Sequence, residues 1–170
     1  MRRRRRVLAV VIAATVAFLA TRPFAESMVQ LDPFAQATHG DPGCPVPPPP
    51  LLTAEAARHE AHVRVERGLR CAMEGRCEPG GAYRRDPEIN ESVRTSLVAE
   101  PRFATTSIWI TTTRQWVTLQ GCVRSRAQRT ALVRFVQRLP NVVRVFDETK
   151  LRRSPSLGSA FALGLLGPSR

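Results

Sequence analysis

Residues 86–149 read DPEINESVRTSLVAEPRFATTSIWITTTRQWVTLQGCVRSRAQRTALVRFVQRLPNVVRVFDET, and their changing periodicity decides the fold. Asp86-Pro87 is a helix start, with Asp86 placed to cap free amides and Pro87 suited to the first turn. Ile89, Val93 and Leu97 recur every four residues and form one apolar stripe. Pro101 ends that helix by forcing its predecessor out of the helical region. Ser107 to Thr113 and Trp116 to Val123 are rich in β-branched and aromatic residues at period two, with Arg114-Gln115 as the turn between two strands. Ser125 and Gln128 form a capping box for a second helix, whose buried stripe is Leu132, Phe135, Val136 and Leu139. Pro140-Asn141 stops it, with Asn141 able to turn left-handed. Val142 to Phe146 reads as a third strand, closed by Asp147 and Glu148.

The resulting αββαβ order, with VTLQGCV at 117–123 and NVVRV at 141–145, resembles the BON domain, a small bacterial domain of periplasmic and outer-membrane-associated proteins. The resemblance covers residues 86–149 of 170. Gly121 matches the family's characteristic glycine, and Val142 and Val145 match the paired valines of its last strand. Two positions depart: Arg114-Gln115 replaces the usual Asp/Asn-Gly at the hairpin, and Asn141 stands where the family has glycine. The resemblance implies attachment to phospholipid or another envelope component, without catalysis. The expected fold is α+β: a three-stranded sheet with two helices on one face, preceded by an extra N-terminal helix.

Composition adds bounds. The net charge is +12, but six arginines and no acid fall in residues 1–25, leaving +6 for the rest. A single lysine among 26 basic residues reflects genome composition rather than phosphate recognition. No basic stripe in a nucleic-acid-binding module accompanies it.

Arg2 to Arg6 followed by the apolar run Val7 to Ala20 has the form of a secretory signal, too short for a comfortable membrane span. Ala25 offers a cleavage position but Pro23 is poor at −3, so 1–25 reads as a signal peptide or a retained anchor. Residues 26–52, ending in the Pro47–Pro50 run, read as a polyproline spacer. Thr53 caps a helix to about Met73 with Ala57, Ala61, Val65 and Leu69 as a narrow ridge, inside a 53–78 unit that carries Cys71 and Cys77. Residues 78–85 are a polar boundary containing Tyr83. Residues 150–170 read as a flexible apolar tail.

Strand alternation puts Ile108, Ile110, Val117 and Leu119 on a helix-covered face and Trp109, Trp116 and Cys122 on the other. The tryptophans are expected as cross-strand neighbours, each with roughly 150–250 Å² of buriable surface. That face binds lipid or protein, or lies under the 53–73 helix, or packs ring on ring in partial contact with water; the helix is favoured, because Cys122 can staple it there. Four cysteines behind a signal-like segment imply two disulfides. Cys71–Cys77 with Cys44–Cys122 is favoured, the short loop contributing roughly 2–3 kcal/mol in the chain-entropy model. Pairing Cys71 or Cys77 with Cys122 stays open.

For chemistry, His59, His62 and Glu66 share a helix face, but His59-Glu-Ala-His62 is one residue short of the zinc-hydrolase spacing and reads as a solvated face. Cys71 and Cys77 lack redox spacing. No nucleophile elbow, phosphate loop or paired carboxylate is present, so the sequence points to no enzyme, cofactor or small-molecule substrate. Arg84, Arg85, Arg94 and Arg102 are candidates for anionic headgroups, at about 1 kcal/mol each near a charged bilayer. The expected role is attachment in the cell envelope through a phospholipid membrane surface. The alternative is a protein–protein scaffold of an envelope assembly without lipid contact, and a small metal- or redox-dependent enzyme is the third reading.

Overall fold

The computed structural model describes residues 27–152. The signal or anchor expected at 1–25 and the apolar part of the tail lie outside the described residues. Elements run β1 (Met28–Gln30), β2 (Phe34–His39), β3 (Leu51–Thr53), α1 (Ala54–Met73), α2 (Asp86–Ala99), a 3-10 turn (Pro101–Phe103), β4 (Ser107–Thr113), β5 (Trp116–Val123), α3 (Arg126–Gln137) and β6 (Arg144–Leu151). The class is α+β, with the αββαβ unit in place and a helix ahead of it.

The main sheet has four strands in the order β2-β4-β5-β6, not the three expected. The β4–β5 hairpin is antiparallel, while β6 joins β5 in parallel after the α3 crossover. Helices α2 and α3 cover one face. Ile89, Val93 and Leu97 of α2, Leu132 and Val136 of α3, and Ile108, Ile110, Val117 and Leu119 of the hairpin form one core with Phe103 and Val123, each at most 1% exposed.

Several expectations need correction here. Residues 26–52 are not a spacer: β2 lies antiparallel on β4, with Phe34 opposite Thr111 and His39 opposite Ser107. Its alternation was interrupted by a bulge between Gln36 and Thr38, which hid the strand. Buried hydroxyls secure the bulge, with Thr38 Oγ1 2.8 Å from Thr106 Oγ1 and accepting from the Ile108 amide. The last strand runs to Leu151, so residues 150 and 151 belong to the sheet and not to a tail.

Helix α1 also presents a different face from the expected ridge. Ala57, Glu60, Arg64, Gly68 and Cys71 turn inward, whereas Ala61, Val65 and Leu69 are exposed. A strict four-residue repeat drifts around a 3.6-residue helix, and the seat is polar. Arg64 holds Asp32 through two bonds (2.8 and 3.2 Å) and Glu60 through a third, and stacks 4.5 Å from the Tyr83 ring. Gly68 meets Gly81 backbone to backbone, where a Cβ on Gly81 would fall 2.7 Å from the Gly68 Cα.

Asp86 does not cap its own helix. Arg85 occupies that position without a side-chain bond, and the Asp86 carboxylate instead accepts the Arg114 and Gln115 amides, both at 2.7 Å. Those two residues form the hairpin turn with φ of 57° and 65°, conformations that favour glycine or asparagine. Two charge-assisted bonds from α2 thus hold a turn whose own residues disfavour it. Burial raises the Asp86 pKa, against the opposing pull of the two amides. Its stabilising term is therefore full below the ordinary aspartate pKa and is lost as pH rises through the raised value. Glu91 and Glu100 act oppositely. Held by Arg94 and Arg102, their pKa values are lowered, so what they contribute is present above the ordinary glutamate pKa and lost as pH falls through the lowered one.

In urea unfolding, Gln115→Gly is expected to stabilise by about 1 kcal/mol by relieving left-handed strain. Asp86→Ala should cost roughly 2–4 kcal/mol as two amides lose their acceptor. The cost of Asp86→Ala should shrink in the Gln115→Gly background. Strict additivity would show that carboxylate and turn are independent.

Candidate functional site

The sheet face away from α2 and α3 carries Phe34, Gln36, Ser107, Trp109, Trp116, Thr118, Gln120, Cys122, Arg144 and Phe146. It is divided in two. At one end Trp109, 5% exposed, packs with Phe34 beneath the Cys44–Cys122 disulfide. The second disulfide joins Cys71 to Cys77. Closing a loop of 78 residues contributes about 4.5 kcal/mol in the chain-entropy model. The bond draws the 40–48 segment beside β5, with Pro45, Val46, Pro47 and Pro48 bordering a hollow that Gln120, Gly121 and Cys122 also line. Gly121 lets β5 close on β4 and on the Trp109 ring: its φ is +110°, and a Cβ there would meet the Ser107 carbonyl oxygen at 2.1 Å and the Trp109 ring at 3.0 Å. Arg152 clamps the same segment from the end of β6, pairing with Asp41 at 3.4 Å and donating to the Gly43 carbonyl.

Two expectations fall on this arrangement. Helix α1 does not cover the tryptophan face, since it packs on β1 and β3. The tether from Cys122 leads to the proline-rich segment instead. The tryptophans are not neighbours either. Trp109 faces Gln120 across the hairpin and Trp116 faces Thr113.

The hairpin end of the face is open. The rings of Trp116 and Phe146 meet edge to face, centroids 5.8 Å apart. Two guanidinium groups lie on them: Arg114 is 4.9 Å from the Trp116 centroid, and Arg144 is 5.6 Å from Trp116 and 5.9 Å from Phe146. Phe146 is 39% exposed. Cations over aromatic faces contribute roughly 0.5–1 kcal/mol each when exposed. The arrangement is a small apolar surface ringed by positive charge. Sequence reading reached Trp116 and missed Arg114, Arg144 and Phe146, because the parallel β5–β6 register that sets Trp116 beside Arg144 and Thr118 beside Phe146 is a tertiary fact.

The four arginines singled out from sequence do not converge. Arg85 bonds Glu88 and Asn141 and lies 3.6 Å from Glu78. Arg94 pairs with Glu91 at 2.6 Å, Arg102 with Glu100 at 2.8 Å, and Arg84 donates to the Pro79 carbonyl. Three of the four are therefore matched by a carboxylate. His62 contacts Glu66 at 3.3 Å, whereas His59 lines a separate groove under the β1–β3 ribbon. Among the described residues no three His, Cys, Asp or Glu side chains are grouped to hold a metal, and no helix is long and apolar enough to cross a membrane.

The family model of the BON domain matches residues 85–153. The chain therefore carries one BON domain. No curated protein matches the chain. A BON domain points to a membrane- or phospholipid-associated envelope protein, of a family that is generally non-catalytic, and the two disulfides are consistent with an envelope or periplasmic setting.

The outer edge of the BON domain, next to the aromatic patch, is blunted. Thr149 turns its backbone away from β5. Asp147 accepts its amide at 2.9 Å and its hydroxyl at 2.6 Å, while Arg129 reaches the Thr149 carbonyl and lies 3.5 Å from Asp147. Asp147 thus does more than close the strand, since it occupies hydrogen-bonding groups that another strand would need. Asp147→Ala should expose them, and sedimentation velocity should then show concentration-dependent association exceeding that of the unaltered chain. Identical profiles would dismiss the lock.

Proposed function

We propose that the chain is a non-catalytic attachment protein of the cell envelope, engaging a phospholipid surface through Trp116 and Phe146 with Arg114 and Arg144 beside them. One observation carries this reading: the half of the outer sheet face away from the proline-rich segment, among the described residues, combines a half-buried Trp116 and an exposed Phe146 with stacked guanidinium groups. Indole and phenyl rings partition to the membrane–water boundary, and arginine there meets the phosphates of anionic lipid. The family match supports the membrane association in general terms. Of the residues nominated from sequence, Trp116 keeps a place in this surface. Trp109 serves the interior, and Arg84, Arg85, Arg94 and Arg102 stand elsewhere as ordinary surface charge.

The patch is small, so attachment through it alone is weak and salt-sensitive. Each basic residue near a charged bilayer is worth about 1 kcal/mol, and a segment ahead of residue 27 that stays in the membrane would raise the local concentration of the patch. A scaffold role without lipid contact uses the same surface for a protein and makes the opposite forecast.

With phosphatidylglycerol vesicles brominated in the acyl chains, Trp116 fluorescence of the full chain should be quenched, with Trp116→Phe removing the quenched component. Arg144→Gln should weaken the quenching titration about fivefold, and 0.5 M salt should do more. A titration without quenching at low salt would overturn the membrane reading in favour of the scaffold.

A further inference from the structure

The extra helix α1 lies outside the BON domain. Its C-terminal turns, the 82–83 turn and the hairpin turn enclose a cavity of about 530 Å³. Arg67, Arg70, Arg76 and Arg114 line it, with Tyr83 in its wall and Glu66 as its acid. The balance of charge is positive even after local pairing. Glu66 is engaged with His62, and Arg76 is engaged with Glu74. Arg67 and Arg70 have no carboxylate within ion-pair distance among the described residues, and Arg114 meets only the Trp116 ring. Three guanidinium groups outside any ion pair thus face one hollow whose single acid is Glu66, drawn from two elements far apart in sequence.

Their placement is fixed from below. Arg67 and Arg70 are three residues apart on one helix, so they project in neighbouring directions. The close Gly68–Gly81 contact seats that helix against the turn carrying Tyr83. Arg114 stands on a turn whose amides are held by Asp86. The Cys71–Cys77 disulfide ties the loop that carries Arg76 back to α1. Guanidinium forks match the oxygens of a tetrahedral phosphoryl group two at a time, and several together suit an anion of charge one to two.

We propose that this cavity is a binding site for a phosphoryl anion of glycerol-phosphate size, either free or as the headgroup of a phospholipid. The headgroup version rests on the membrane reading above, because Arg114 belongs to both surfaces and places the cavity beside Trp116. The site also assigns a task to α1, which contributes most of the cations while the BON domain contributes Arg114.

The test uses the full chain and variants outside the aromatic patch. Titration with glycerol phosphate at constant ionic strength should give saturable shifts of the arginine Nε–H resonances, with inorganic phosphate competing and chloride inert. The Arg67→Gln/Arg70→Gln chain should lose at least tenfold in affinity, and both positions are exposed, so folding should be unchanged by circular dichroism. Pelleting with phosphatidylglycerol vesicles then separates the sources. A loss in the double variant identifies the lipid headgroup, and unchanged pelleting identifies the free anion; either result upholds the site. Shifts that fail to saturate, or a double variant that binds like the unaltered chain, would overturn it. A chain that is quenched by vesicles yet ignores glycerol phosphate refutes the cavity and leaves the attachment reading intact. The reverse result refutes the attachment and leaves the cavity.

Discussion

A carboxylate from the start of one helix holds the turn of a hairpin from another part of the chain. The Asp86–Arg114/Gln115 contact joins α2 to the β4–β5 ribbon at the point where the backbone is least comfortable, with two left-handed non-glycine residues in succession. Once that turn is fixed, so is the register of seven β4–β5 residue pairs, and with it the separation of isoleucines and valines from tryptophans. Asn90, one helical turn further on, extends the fastening by donating to the Pro33 carbonyl at 3.1 Å and Thr112 Oγ1 at 3.0 Å, which brings the entry to β2 into the same corner. The direction of Arg114, shared by the aromatic patch and the arginine-lined cavity, follows from this fastening.

Helices and strands of the BON domain were legible because their signals are local. Ser125 does cap α3, accepting from the Gln128 amide at 3.0 Å, and Asn141 does turn left-handed, with φ of 64°. Strand alternation sorted Ile110 from Trp109 without further help. The failures share one cause, since each depends on a partner distant in the chain. Phe34–His39 is six residues long and broken by a bulge, so its membership of the sheet depends on β4 and could not be read from its own pattern. The seat of α1 depends on Asp32 and Tyr83, polar partners that an apolar ridge does not reveal. Arg144 and Phe146 acquire a shared surface with Trp116 only through parallel pairing, and Asp86 looked like a helix cap because nothing beside it names the hairpin.

The outer sheet face shows how one surface serves two ends. Burying Trp109 takes Phe34, the Cys44–Cys122 disulfide and a glycine with positive φ, with the proline run beside the same few residues of β5. Beyond Gln120 that cover stops, and the remaining rings are accompanied by cations rather than by chain. A surface that were merely unfinished would show bare apolar side chains, whereas here guanidinium groups stack on the rings.

The pairing of Thr38 with Thr106 spans 68 residues, and it sets an order of events for a chain that emerges from its N-terminus. Strand β2 has no mate until β4 has appeared, and Cys44 has none until Cys122 follows. The helices and the later strands find one another over short loops, so the earliest part of the sheet in sequence is the last to dock. Oxidation of Cys44 and Cys122 then fastens that late arrival, whereas in a thiol-reducing compartment the leading strand would be held by its pairing with β4 alone.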